Sequence, residues 1–137
     1  MAARRDNNWR RPSTLREVVA WADSTEDIGC NLAEFLDEVN PRSGLRRSRA
    51  SLAACIRSEP RKTGNPVHDA YLAAVATHLS HCWRVQAPRW TRGKNRRLAH
   101  PWFALPYPWA RAELLRSSPA AFRERNLFTT EDALHRV

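Results

Sequence analysis

Glycine is scarce here, four residues in a chain of 137, and with it go the loops that several chemistries need. There is no Gly-rich phosphate loop, no GxSxG nucleophile turn and no HExxH metal helix. Without those signatures there is no catalytic residue to name and no cofactor to expect, and the chain reads as non-enzymatic. Long apolar runs are missing as well. Nothing approaches the roughly 20 residues of a bilayer-spanning helix, so no membrane partner is expected. The N-terminal MAARRDNNWRRP lacks the apolar centre of a secretory signal, and the expected location is cytoplasmic. Cysteine is limited to Cys30, Cys55 and Cys82, an odd number with no CxxC pair. That is not a disulfide framework, and each is expected to act as a small hydrophobe in a reducing compartment. Sustained strand alternation, internal repeats and low-complexity tracts are absent too.

What the chain does have is positive charge: a formal net charge of +9 and a pI near 10.9, carried almost wholly by arginine. Such a charge favours nucleic acid, an acidic protein or an anionic surface, and does not choose among them. The length fits one domain with a core of its own, and the 42% hydrophobic content is that of an ordinary globular protein. Residues 1–12 read as a basic flexible arm bearing Arg4, Arg5, Arg10 and Arg11, and 13–137 as a single helical domain.

The strongest helical signal runs from Asn65 to Cys82. Asn65 suits an N-cap and Pro66 the first helical position, where its missing N–H costs nothing. Val67, Ala70, Tyr71, Ala74, Val75, His78, Leu79 and Cys82 then recur on one face, with Asp69, Ala73 and Thr77 on the other side. A capping box at Thr14–Glu17 opens an earlier helix, and Asp23–Gly29 is expected to break it. Asn31–Asn40 forms a second helix with an acidic outer surface of Glu34, Asp37 and Glu38. A third is expected over about Leu45–Ser58. Beyond Cys82, Pro88, Pro101, Pro106, Pro108 and Pro119 keep the elements short. Pro108 and Ser118-Pro119 are expected to start further helices, and Thr129–Asp132 a last turn. The expected fold is all-α, a compact bundle of about five to seven helices with a Pro/Trp-rich C-terminal third wrapped around it.

Three sets of residues are candidates for function. Arg42, Arg46, Arg47 and Arg49, with the arm arginines, are placed to contact nucleic acid or an acidic partner, and a turn at Gly44 loosely fits a helix-turn-helix. Trp102, Trp109, Arg111, Arg123 and Arg125 are candidates for a protein-partner surface, because Trp and Arg are enriched at interface hot spots. For the cluster Trp102, Phe103, Tyr107 and Trp109 the favoured reading is instead a clamp holding the Pro-rich segment to the helices, because irregular segments need aromatic anchors. His78, His81 and Cys82 stand one helical turn apart, the spacing of metal ligands or of a Cys–His pair. No fourth ligand has pair spacing with them, and nothing in a helix interior lowers the thiol pKa, so no metal site is expected and a metal-dependent enzyme is the least favoured alternative.

PRWT at 88–91, PWFALP at 101–106, RAELLRSSPAAFRERNLF at 111–128 and the ending DALHRV resemble a family of small bacterial proteins common in actinobacteria. EFLDEVN at 34–40 and SEP at 58–60 fit the same pattern, which extends over most of the chain after residue 30. Members of that family are often encoded beside nucleotidyltransferase-like genes in arrangements resembling toxin–antitoxin modules. The resemblance implies an antitoxin-like or regulatory role, with a toxin or nucleotidyltransferase-like protein as partner and possible DNA contact, and it supplies no catalytic residues. The basic arm does not belong to the pattern. A DNA-binding regulator acting through Arg46 and Arg49 is the alternative.

Overall fold

The computed structural model describes residues 11–39 and 48–130. It is mostly helical. The α-helices are α1 (Leu15–Ala20), α2 (Thr25–Val39), α3 (Arg49–Arg57), α4 (Pro66–Trp83), α5 (Arg111–Ser117) and α6 (Ala120–Arg123). Short 3-10 turns at Arg89–Arg92, Lys94–Arg96 and Pro108–Ala110 punctuate the Pro-rich part. Two strands, β1 (Trp102–Phe103) and β2 (Leu127–Phe128), pair in parallel, so the all-α expectation needs that small addition. Two-residue strands carry no alternation for sequence reasoning to find.

Helix α4 is the axis of the molecule, and its cap is built as expected. The Asn65 side chain accepts from the Val67 and His68 amides at 2.9 and 3.3 Å. Gly64, at φ +86, supplies the left-handed turn just before it. The expectation of one apolar and one outer face fails, because Asp69, Ala73 and Thr77 are buried along with Ala70, Leu72, Ala74, Val75 and Ala76. Two buried arginines from the C-terminal third cover that side. Arg96 Nη1 donates to the Asp69 carbonyl at 3.1 Å, and Arg125 Nη2 donates to Thr77 Oγ1 at 3.0 Å. A polar stripe on a central helix is tolerated when every group in it has a partner.

Helix α2 starts well before Asn31. Ser24 Oγ accepts from the Asp27 amide at 3.3 Å, and the Asp27 carboxylate accepts from the Asp23 amide at 3.0 Å. This reciprocal cap starts the helix where the acidic run and Gly29 suggest a break. Ile28, Leu32, Phe35, Leu36 and Val39 face the core, joined by Leu15, Val18 and Val19 of α1, Leu52 and Ile56 of α3, and Phe122 and Leu127. Asn31 donates to the Val18 carbonyl at 3.0 Å and ties α2 to α1. Helix α3 begins at Arg49, capped by Ser48, and the part expected from Leu45 lies outside the described residues. The expected turn after Thr129 lies largely outside them as well; Thr129 itself is buried and pairs with Ser118. Ser118 does not cap α6: its hydroxyl lies between the Leu114 and Thr129 carbonyls, with one proton to donate to either, and the helix begins behind Pro119 without a side-chain cap. Among the described residues no helix is long and apolar enough to cross a membrane.

Candidate functional site

The two candidate basic sets are mostly beyond the described residues, which exclude Arg4, Arg5, Arg10, Arg42, Arg46 and Arg47. Arg11 is described and is occupied. Its guanidinium lies 2.8 Å from Glu34 and 3.4 Å from Glu38, and those carboxylates raise its pKa, Glu34 first. Pro12, next to it, is buried. Arg49 is exposed at the first position of α3. That is the positive end of the helix, where a cation is slightly unfavourable and an anion favourable.

The protein-partner set divides. Trp102 is half-buried in β1, packed against the core. Phe103 beside it stacks on Phe128 with ring centroids 5.1 Å apart, and Arg111 lies over its ring at 5.3 Å. These residues clamp the segment. Arg125 is a structural residue, 6% exposed, and so does not contribute to the partner surface for which it is a candidate. It donates to the Ala121 and Thr91 carbonyls at 2.8 and 2.9 Å as well as to Thr77, and burial, ahead of every other cause, lowers its pKa. Arg123 does point outward.

Among the described residues Tyr107 and Trp109 are not packed against either core cluster. Their rings stack on each other, centroids 5.5 Å apart and nearly parallel, while remaining 51% and 78% exposed. Leu105 and Leu115 are exposed nearby in sequence, and these four are the exposed large hydrophobics of the described residues. All four fall between residues 105 and 115, on the loop, the 3-10 turn and α5. Ala110 and Leu114 fix that segment from beneath by packing with Phe128 and Phe103. Residues 105–115 thus form an anchored ledge segment that exposes four large apolar side chains, of which Tyr107 and Trp109 are stacked on each other.

His78 and Cys82 approach on one turn of α4, Sγ to Nε2 3.5 Å, with His81 exposed beside them. Among the described residues no three His, Cys, Asp or Glu side chains are grouped to hold a metal. A cleft of about 300 Å³ between α2 and the start of α4 is lined by Ile28, Leu32, Leu36, Tyr71 and Trp102, with His68 at its wall. His68 Nδ1 is buried there with no hydrogen-bond partner among the described residues.

One further basic region lies outside the three candidate sets: Thr91–Arg97, which the sequence marks as a basic surface loop or a short helix and which forms 3-10 turns in the structure. From Ala70 to Ala112 the sequence contains no Asp or Glu, while it contains Arg84, Arg89, Arg92, Lys94, Arg96, Arg97 and Arg111. All but Arg96 are exposed. The run Arg92, Lys94, Arg96, Arg97 marks its centre, and the absence of carboxylates over a long interval marks its extent. Family models, curated proteins and solved structures give no match to this chain.

Proposed function

We propose that this chain is a non-catalytic binding protein that engages another protein through the ledge of Leu105, Tyr107, Trp109 and Leu115. One observation carries this reading: among the described residues the exposed large hydrophobics are gathered on one short anchored segment, not scattered singly. Covering Trp109 alone, at 78% exposure, is worth about 4 kcal/mol from the area such a ring presents. Arg111 and Arg116 on α5 supply charge beside the ledge, as at the polar rim of an interface. The resemblance to proteins of two-gene modules, over most of the chain after residue 30, supports an antitoxin-like or regulatory role for this chain as one half of such a module.

The test is co-purification of tagged protein from nuclease-treated cells of its host, with the wild type beside W109A/L115A. One protein retained at near-equal stoichiometry by the wild type and lost by the variant is the expected result. Retention unaffected by the variant, or no retained protein once nucleic acid is digested, contradicts it.

Nucleic-acid binding is the second reading, and the carboxylate-free interval from residue 70 to 112 favours it. It requires affinity that falls steeply with salt, as counterions are released from the phosphates. Binding unchanged between low and physiological salt would remove it.

A further inference from the structure

The 3-10 turns at Arg89–Arg92 and Lys94–Arg96 lie against α4 and bring their exposed side next to the end of α6. Between them is an open pocket of about 400 Å³ walled by Thr91, Arg92, Gly93, Arg97, Glu124 and Arg125. Arg125 forms the inner wall. Its side chain is held by the Ala121 and Thr91 carbonyls and Thr77, so its position is set by the fold. The pocket's one carboxylate, Glu124, is engaged by Arg125 Nη1 at 2.7 Å. Arg92 and Arg97 are exposed, and neither meets a carboxylate among the described residues. The Arg97 guanidinium donates only a long bond, 3.3 Å, to the Glu124 carbonyl. Three arginines and one carboxylate, itself already paired, therefore line the pocket, a formal charge of 3 − 1 = +2 among its lining residues.

We propose that this pocket binds a phosphate group, with Arg92 and Arg97 as its ligands and Arg125 as the fixed positive wall. Planar guanidinium forks match phosphate oxygens in pairs, which a carboxylate satisfies with one fork only. Arg97 also contributes to the lowering of the Arg125 pKa, a like-charge repulsion that an anion between them relieves. The group is either free phosphate or a phosphodiester of nucleic acid, since both present the same oxygens. The proposal does not rest on the partner-protein ledge, which shares none of these residues.

The experiment uses the full chain in two arms. Inorganic phosphate is titrated against sodium chloride at matched ionic strength with melting temperature as readout, and a fluorescein-labelled short single-stranded oligonucleotide is titrated by anisotropy. R92A/R97A removes the ligands, and R57A/R61A removes the same charge from exposed positions elsewhere. If the alanine pair melts early, R92Q/R97Q replaces it. A saturable rise in melting temperature with phosphate, lost in R92A/R97A and kept in R57A/R61A, assigns free phosphate. Oligonucleotide affinity about tenfold or more weaker in R92A/R97A alone, with no phosphate shift, assigns a phosphodiester. Response to neither probe, equal weakening in both charge-matched variants, or binding of polyglutamate alone through these arginines overturns the proposal.

Discussion

Replacing Arg96 by methionine removes a guanidinium while keeping most of the side chain's length, and it probes the feature that fastens the C-terminal third to α4. The Arg96 side chain is 1% exposed, against 46% for Glu59. Its Nε and Nη2 donate to Glu59 Oε2 at 3.2 and 2.9 Å, its Nη2 to the Pro60 carbonyl at 2.6 Å and its Nη1 to the Asp69 carbonyl. The Asp69 carboxylate is 4.0 Å away and is held by Thr63, whose amide and hydroxyl donate to it at 2.8 and 2.9 Å. The Trp90 ring lies 5.0 Å beneath the guanidinium, and its indole N–H donates to the Ile56 carbonyl at the end of α3. Glu59 is half in water, so solvent screens that pair and its Coulomb attraction is small. The main cost of R96M is the loss of partner for the buried Pro60 and Asp69 carbonyls and of the cation beside the Asp69 carboxylate. At about 1–3 kcal/mol per orphaned group, the expected loss is about 3–5 kcal/mol. E59Q keeps both carbonyl bonds and is expected to cost about 1 kcal/mol or less. Urea denaturation followed by tryptophan fluorescence measures both. A variant R96M within 1 kcal/mol of the wild type, on the scale of an ordinary surface substitution, refutes the argument, and so does E59Q matching R96M.

Three further outcomes follow from individual sites. G29A is expected to stabilise the protein by about 1 kcal/mol, because Gly29 sits inside α2 and a Cβ there meets nothing within 4 Å; a lower urea midpoint would contradict this. N65A removes the acceptor for two amides of α4 and is expected to cost about 1 kcal/mol, whereas an unchanged midpoint would mean that the α4 cap is not needed. Burial holds the Tyr71 hydroxyl above its usual pKa of 10.0, with Thr129 opposing weakly. Its stabilisation is therefore complete below the unfolded value and is lost as pH rises from there through the folded value. Urea midpoints compared at pH 8 and above pH 10 are expected to fall less in Y71F than in the wild type, and parallel falls would exclude Tyr71 as the cause.

How much of this was legible depended on the range of the interaction. The α4 helix was readable because Asn65, Pro66 and the periodic apolar residues act within one or two turns of each other. The start of α2 was misread because Gly29 and the acidic run look like a breaker. Ser24 and Asp27, three residues apart, hold the cap that overrides them. The buried arginines were not readable. In a chain with so much arginine nothing local separates Arg96 or Arg125 from Arg97 or Arg123, and their partners lie up to 48 positions away. The aromatic cluster at 102–109 was visible as a group but not as two groups. Pairing of β1 with β2 half-buries Trp102 and Phe103, and Tyr107 and Trp109 lie beyond it. The carboxylate-free interval was in plain view and marks the phosphate pocket's face.

The central claim is that the ledge serves a partner and not the fold, and the measurement that tests it most directly is a paired one on W109A. The account predicts a urea midpoint equal to that of the wild type, since Trp109 is 78% exposed, together with loss of the co-purifying protein after nuclease treatment. A midpoint lowered as by the removal of a core aromatic, with the partner still retained, would contradict it and make the ledge part of the protein's own packing.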